Sequence, residues 1–332
     1  MNINKSVIVS LLLSASLFAF AGCGKGFSFP FDPDTDNARF SLGDVYLTGR
    51  ADPFSDGLSV VTGDVNISAI EDMKIDQSAG LLAMSEDNTV YALNMHDTRS
   101  PASLTKVMTA LVALRNMSAE TMLTAREDIV VKEKGATLLG INAGDRMTLD
   151  QALHFLLMES DNDVALFIAE NVSGTVEAFI EQMNQEALRI GATNCTFINP
   201  SGLTAEGHEV TAYDLYLIMR EAVNYPAFVE TISCSTYSTS YTKGDGSTAE
   251  KEIKSTVGYT QGEVRPPGNV NVIGGKTGTT AAAGRCLMLY VKNSLGTPYI
   301  AIVMHAADET ELYHQMNELL ALLEQGQGQS GG

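Results

Sequence analysis

The chain has 332 residues, 45% of them hydrophobic and 18% charged, with a formal net charge of −19. That is ordinary globular composition, enough for one large domain or two modest ones. The acidic balance repels phosphate backbones and so argues against nucleic-acid binding, and it offers no electrostatic hold on anionic lipid.

The first elements in chain order suggest another way of reaching a membrane. Asn2 to Lys5 form a short charged start, Val7 to Phe20 are almost wholly apolar, and Ala21-Gly22-Cys23 follow. An apolar run this short, ending in small residues, reads as a signal peptide over residues 1–22 rather than a spanning helix. Phe20-Ala21-Gly22-Cys23 resembles a bacterial lipobox, which implies that Cys23 is lipidated and becomes the mature N-terminus. Residues 23–76 have little periodicity and carry Pro30, Pro33 and Pro53 among scattered Asp and Gly, so they are expected to be a flexible tether. Residues 77–324 are expected to form one catalytic domain. The Gln/Gly/Ser stretch 325–332 has nothing to bury and is expected to be a disordered tail.

Inside the domain, Gly80–Met84 and Thr89–Met95 flank Glu86-Asp87-Asn88 as a hairpin. Ser103 opens a helix whose apolar positions Leu104, Val107, Met108, Leu111 and Val112 follow the 3.6-residue period. Thr148-Leu149-Asp150-Gln151 is a capping-box pattern starting a helix to about Met158. Further helices are predicted over residues 163–170, from Val176 to the stop at Gly191, and over residues 211–224. Arg285–Lys292 and Pro298–His305, joined by a loop with Gly296, read as a second hairpin. Asp308 caps a last helix carrying Leu312, Met316, Leu319 and Leu323. Strands at both ends of a helical block predict an α+β fold: one antiparallel sheet flanked by helices, a helical lobe beside it, and a cleft between them.

Three motifs follow one another: Ser103-Leu104-Thr105-Lys106, Ser160-Asp161-Asn162 and Lys276-Thr277-Gly278. A serine hydroxyl becomes a useful nucleophile when a base removes its proton. Lys106, one turn from Ser103, can be that base if burial and a second cation such as Lys276 depress its pKa. The helix start adds backbone N–H groups where an oxyanion forms. Ser160 can pass a proton to a leaving group, and the Asn162 amide can hold a substrate carbonyl. Gly278 permits close backbone approach, while Lys276, Thr277 and Thr279 suit a carboxylate. A second Ser-x-x-Lys, Ser240 to Lys243, runs straight into Gly244-Asp245-Gly246 and is expected to be a loop coincidence.

The ordered set is the signature of class A β-lactamases and penicillin-binding proteins. Pro101 to Ala110, Phe197-Ile198-Asn199-Pro200-Ser201-Gly202-Leu203, Thr211 to Asp214, and Gly275 to Thr280 with Ala283 to Leu287 resemble the low-molecular-mass penicillin-binding proteins, serine-type D-alanyl-D-alanine carboxypeptidases. The resemblance implies a β-lactamase/transpeptidase-like fold and removal of the terminal D-alanine from peptidoglycan stem peptides through an acyl-enzyme on Ser103. It further implies inhibition by β-lactams, no cofactor and no metal. Lys106 is then the base, Ser160 the relay and Asn162 a peptide contact. Lys276, Thr277 and Thr279 meet the carboxylate, with Gly278 between them, and the Ser103 and Thr279 N–H groups form the oxyanion hole. With the lipid anchor, the enzyme is expected outside the cytoplasm, membrane-attached and facing the cell wall.

Two departures stand out: Asp161, where the family more often has a small residue, and Ser240 to Asn271, which matches poorly and is expected to line the cleft. A class A-like β-lactamase is the main alternative, but Asn194 to Pro200 lacks the acid such enzymes use on water, and Glu206 and Glu209 stand in a different context. A D,D-endopeptidase differs only in substrate. A non-catalytic binding module would keep the fold alone.

Overall fold

A computed structural model of the chain describes residues 62–66, 68, 80–85 and 88–325. Residues 1–22, expected to be a signal peptide, Cys23 and residues 326–332 lie outside the described residues. Strands β1 (Gly80–Met84) and β2 (Thr89–Leu93) pair antiparallel, as the hairpin pattern predicts. Strands β7 (Asn271–Thr280), β8 (Gly284–Lys292) and β9 (Pro298–Ala306) complete a five-stranded antiparallel sheet in the order β2-β1-β9-β8-β7. The two ends of the domain therefore meet in one sheet, with β1 against β9.

The central strands are apolar on both faces because both faces are covered. Side chains alternate along a strand, so Leu287, Leu289 and Val291 on β8 and Ala301 and Val303 on β9 share one core with Leu312, Met316, Leu319 and Leu323 of the C-terminal helix. Cys286 and Met288, with Ile300, Ile302 and Met304, join the other core, which they share with the helical lobe. That lobe is built on helix α1 (Thr105–Asn116), buried from Thr105 through Ala113. Helices α2 (Leu149–His154), α3 (Asn162–Ser173), α4 (Val176–Arg189) and α5 (Ala212–Ala222) complete most of it. Capping boxes start α2 at Thr148 and Gln151 and α5 at Thr211 and Asp214. Each cap satisfies backbone N–H groups that a helix start leaves open.

The structure corrects several sequence expectations. Helix α1 begins at Thr105, and Ser103 sits in a preceding 3-10 turn, Ala102–Leu104. Helix α2 ends at His154 and passes into a π-helical turn, Phe155–Glu159. The second Ser-x-x-Lys is not in a loop: Ser240 lies on β5 (Thr236–Thr242), which pairs with β6 (Thr248–Lys254). With β3 (Met122–Thr124) and β4 (Arg146–Thr148) they form a second sheet, ordered β3-β4-β5-β6. Helix α6 (Pro226–Ser233) and the short α7 (Gly258–Gln261) flank that hairpin in sequence, and α8 (Glu309–Gln325) is the C-terminal helix. Within the stretch expected to be a tether, Val65 bridges Ala92 and Asp64 accepts from the Asn94 N–H, so this short piece lies along the outer edge of β2.

Candidate active site

The three motifs converge on one cleft of about 310 Å³ between the sheet and the lobe. Ser103, Ser160, Asn162, Thr277, Gly278 and Thr279 all line it. Ser160 is placed by a left-handed backbone (φ 70°) between the π-turn and α3. A non-glycine residue there is uncommon, and such conformations cluster at functional sites. Of the segment Ser240 to Asn271, Thr256 reaches the cleft lining.

Lys106 is fully buried, and its Nζ lies 2.9 Å from Ser103 Oγ, 2.9 Å from Asn162 Oδ1 and 2.6 Å from the Ser201 carbonyl. The last two atoms only accept, because Asn162 Nδ2 donates to the Thr137 carbonyl. A neutral amine has two hydrogens, and those two acceptors take both. Its lone pair is then left facing the Ser103 hydroxyl, as a general base requires. Burial, and then the charge of Lys276, hold the Lys106 pKa well below the ordinary lysine value. Asn162 therefore holds the Lys106 amine through its Oδ1.

Lys276 is also fully buried, its Nζ donates to the Thr277 carbonyl, and it is not among the cleft-lining residues. Burial pushes its pKa down to about 7. Exposed Arg285 donates to Thr279 Oγ1 at 3.2 Å but, like Lys276, is not among the cleft-lining residues; the cation that lines the cleft is Lys134. Arg285 is paired with Thr279 in the β7–β8 register, a relationship visible in retrospect from the turn that joins the two strands. Thr256 Oγ1 stands 2.6 Å from Thr277 Oγ1, and with Thr279 and Thr280 these side chains line a hydroxyl-rich wall suited to a carboxylate.

Strand β7 is an edge strand, and its free edge borders the cleft. Gly278 lets it approach Ser103 closely: a Cβ there would stand 3.1 Å from the Ser103 nitrogen and 3.2 Å from the Pro101 oxygen. The Ser103 nitrogen and the Gly278–Thr279 end of β7 are thus brought close together beside the Ser103 hydroxyl. This is where two oxyanion donors belong.

Asp161 is not among the cleft-lining residues. It is buried, neither carboxylate oxygen has a hydrogen-bond partner among the described residues, and burial with Glu159 and Asp163 raises its pKa to about 8. Of the acids weighed for a β-lactamase, neither Glu206 nor Glu209 lines the cleft; the lining acids are Glu133 and Glu159.

The D-alanyl-D-alanine carboxypeptidase family profile matches residues 66–308. The chain belongs to that family. It is 30% identical over 158 residues to the D-alanyl-D-alanine carboxypeptidase DacF of Bacillus subtilis, covering 46% of this chain and 40% of that protein. To DacC of Escherichia coli it is 27% identical over 269 residues, covering 76% of this chain and 62% of that protein. The chain thus spans less than two thirds of the length of both. The DD-transpeptidase of Streptomyces K15 shares the fold, with a TM-score of 0.66 at 24% identity over 74% of this chain and 95% of that structure. The α+β, transpeptidase-like architecture expected from the motifs is therefore the one found.

Proposed function

We propose that this family member is a serine-type D-alanyl-D-alanine carboxypeptidase acting on peptidoglycan stem peptides and acylated by β-lactams. The observation that carries the reading is the hydrogen-bond set of Lys106, which leaves a neutral amine only the Ser103 hydroxyl to accept from. In the proposed reaction Lys106 takes the Ser103 proton as Oγ attacks the carbonyl carbon of the penultimate D-alanine. The carbonyl oxygen becomes negative facing the Ser103 and Thr279 N–H groups. The peptide C–N bond then breaks, and the proton passes from Lys106 by way of Ser160 to the departing amine. With the D-alanine gone, water enters, gives a proton to Lys106 and attacks the ester carbon; the ester C–O bond breaks and Lys106 returns the proton to Ser103 Oγ, restoring both residues. Thr277 and Thr279 hold the terminal carboxylate, with Arg285 bonded to Thr279 and Lys276 supporting the strand behind them.

The proposed setting is outside the cytoplasm, with residues 1–22 removed as a signal peptide and Cys23 lipidated. The part of the expected tether before Asp64, which itself lies against β2, would lift the domain toward the cell wall.

The deciding experiment is product analysis with a synthetic peptide ending in D-Ala-D-Ala, alongside the lifetime of the penicilloyl adduct. Steady release of free D-alanine with a long-lived adduct supports the reading. Rapid multiple turnover of penicillin would replace it with a β-lactamase. Cleavage confined to cross-linked peptides would make the enzyme an endopeptidase.

A further inference from the structure

Ala102, the residue before the nucleophile, has φ +47°, in the left-handed region that alanine seldom occupies. Its carbonyl oxygen is held from several directions. Thr105 Oγ1 donates to it at 2.8 Å, and the Thr105 N–H donates to it as well. Gly202 packs so closely that a Cβ there would fall 1.9 Å from the same oxygen. Behind Thr105 stands buried His208, whose Nε2 is 2.9 Å from Thr105 Oγ1.

The direction of this chain follows from its partners. The Ile198 N–H donates to His208 Nδ1 at 3.1 Å, so Nδ1 accepts and the proton of the neutral ring sits on Nε2. Burial depresses the His208 pKa to about 4, which keeps the ring neutral at ordinary pH. Nε2–H then donates to Thr105 Oγ1, which uses its single hydrogen on Ala102 O. A peptide group is planar and rigid, with its C=O and N–H pointing opposite ways. Holding Ala102 O therefore orients the Ser103 N–H, and successive hydrogen bonds polarise one another along the chain.

We propose that His208 is a positioning residue for the oxyanion site: through Thr105 it holds the carbonyl end of the Ala102–Ser103 peptide and so aims the Ser103 N–H at the oxygen that becomes negative during acylation. The inference rests on Ser103 being the nucleophile. It adds a residue outside all three motifs and outside the cleft lining. An oxyanion donor acts on the transition state more than on the bound substrate, so its loss lowers kcat and leaves KM nearly unchanged.

The test compares two conservative pairs. His208→Gln can still donate to Thr105, whereas His208→Asn retains an acceptor for the Ile198 N–H and loses that donor. Thr105→Ser keeps the hydroxyl, and Thr105→Val removes it at the same shape. For each, kcat and KM on a D-Ala-D-Ala peptide are measured per active site titrated with fluorescent penicillin, beside the thermal unfolding temperature. The expected result is a fall of roughly tenfold or more in kcat for His208→Asn and Thr105→Val, with KM within about twofold, and substantial recovery in the Gln and Ser variants. If His208→Asn does not fold, the Thr105 pair decides. Equal kcat per titrated site across each pair would overturn the inference, as would losses that follow unfolding temperature alone. Wild-type protein that takes no penicillin on Ser103 would instead overturn the reading of the site itself.

Discussion

Gly278 and Ser103 come from elements 175 positions apart in the chain, yet a Cβ on Gly278 would lie 3.1 Å from the Ser103 nitrogen. The same Cβ would stand 3.2 Å from Ala102 Cβ and from the Pro101 oxygen, so the nucleophile turn would have to give by a few tenths of an ångström. Gly278→Ala is therefore expected to disturb the geometry of acylation more than the fold. Penicillin acylation should slow by roughly tenfold or more, because small misplacements at a reacting centre are costly. Stopped-flow labelling and thermal unfolding of the same sample check this; unchanged acylation would show that the turn yields freely.

The two Ser-x-x-Lys copies predict opposite outcomes. Ser103→Ala should abolish covalent penicillin labelling, while Ser240→Ala, on an exposed strand position, should label normally. Lys106→Arg should also lose labelling, by about a thousandfold or more, since arginine stays protonated and cannot serve as the base. Mass spectrometry of the labelled peptide distinguishes the sites, and a label on Ser240 would remove the assignment.

Two buried groups pull stability in opposite directions with pH. Lys276 has a folded pKa of about 7 against 10.5 for an ordinary lysine. Between those values the unfolded chain binds more protons, so its contribution to stability rises with pH. Asp161 has a folded pKa of about 8 against 3.8, so in that window the folded chain binds more protons and the contribution falls with pH. Asp161→Asn removes the second effect. Relative to wild type, that variant should gain at least about 1 kcal/mol between about pH 5 and about pH 8. Denaturant unfolding at both pH values measures it, and a constant difference would mean that Asp161 is ionised in the folded protein.

Attachment is tested at Cys23. If that residue carries a diacylglyceryl group, two chains supply enough apolar area for stable anchoring. Cys23→Ala should then leave an unprocessed precursor or release the protein from the membrane fraction. A mature N-terminus elsewhere, unmodified by mass spectrometry, would remove the anchor from the proposal.

Much of the architecture was legible in the sequence because its signals are local. The apolar stretches of β8 and β9, the capping boxes at Thr148 and Thr211 and the glycine stop at Gly191 depend on residues near one another in the chain. The three motifs are equally local, and they carry Ser103, Lys106, Ser160 and Asn162 within runs of three or four residues. The β5–β6 hairpin was not legible: it is mostly polar and exposed, and its Ser/Thr run resembles a loop in composition.

Only the tertiary structure decided how those residues are held. Lys106 is oriented by Asn162, 56 positions away, and by the Ser201 carbonyl, 95 positions away. His208 reaches Thr105 across 103 positions, and Arg285, instead of Lys276, presents the exposed cation beside Thr279. Sequence order can supply the hydroxyl and the amine. Which acceptors take the amine's hydrogens, and hence where its lone pair points, is settled when the lobe packs against the sheet and leaves each buried polar atom a particular partner.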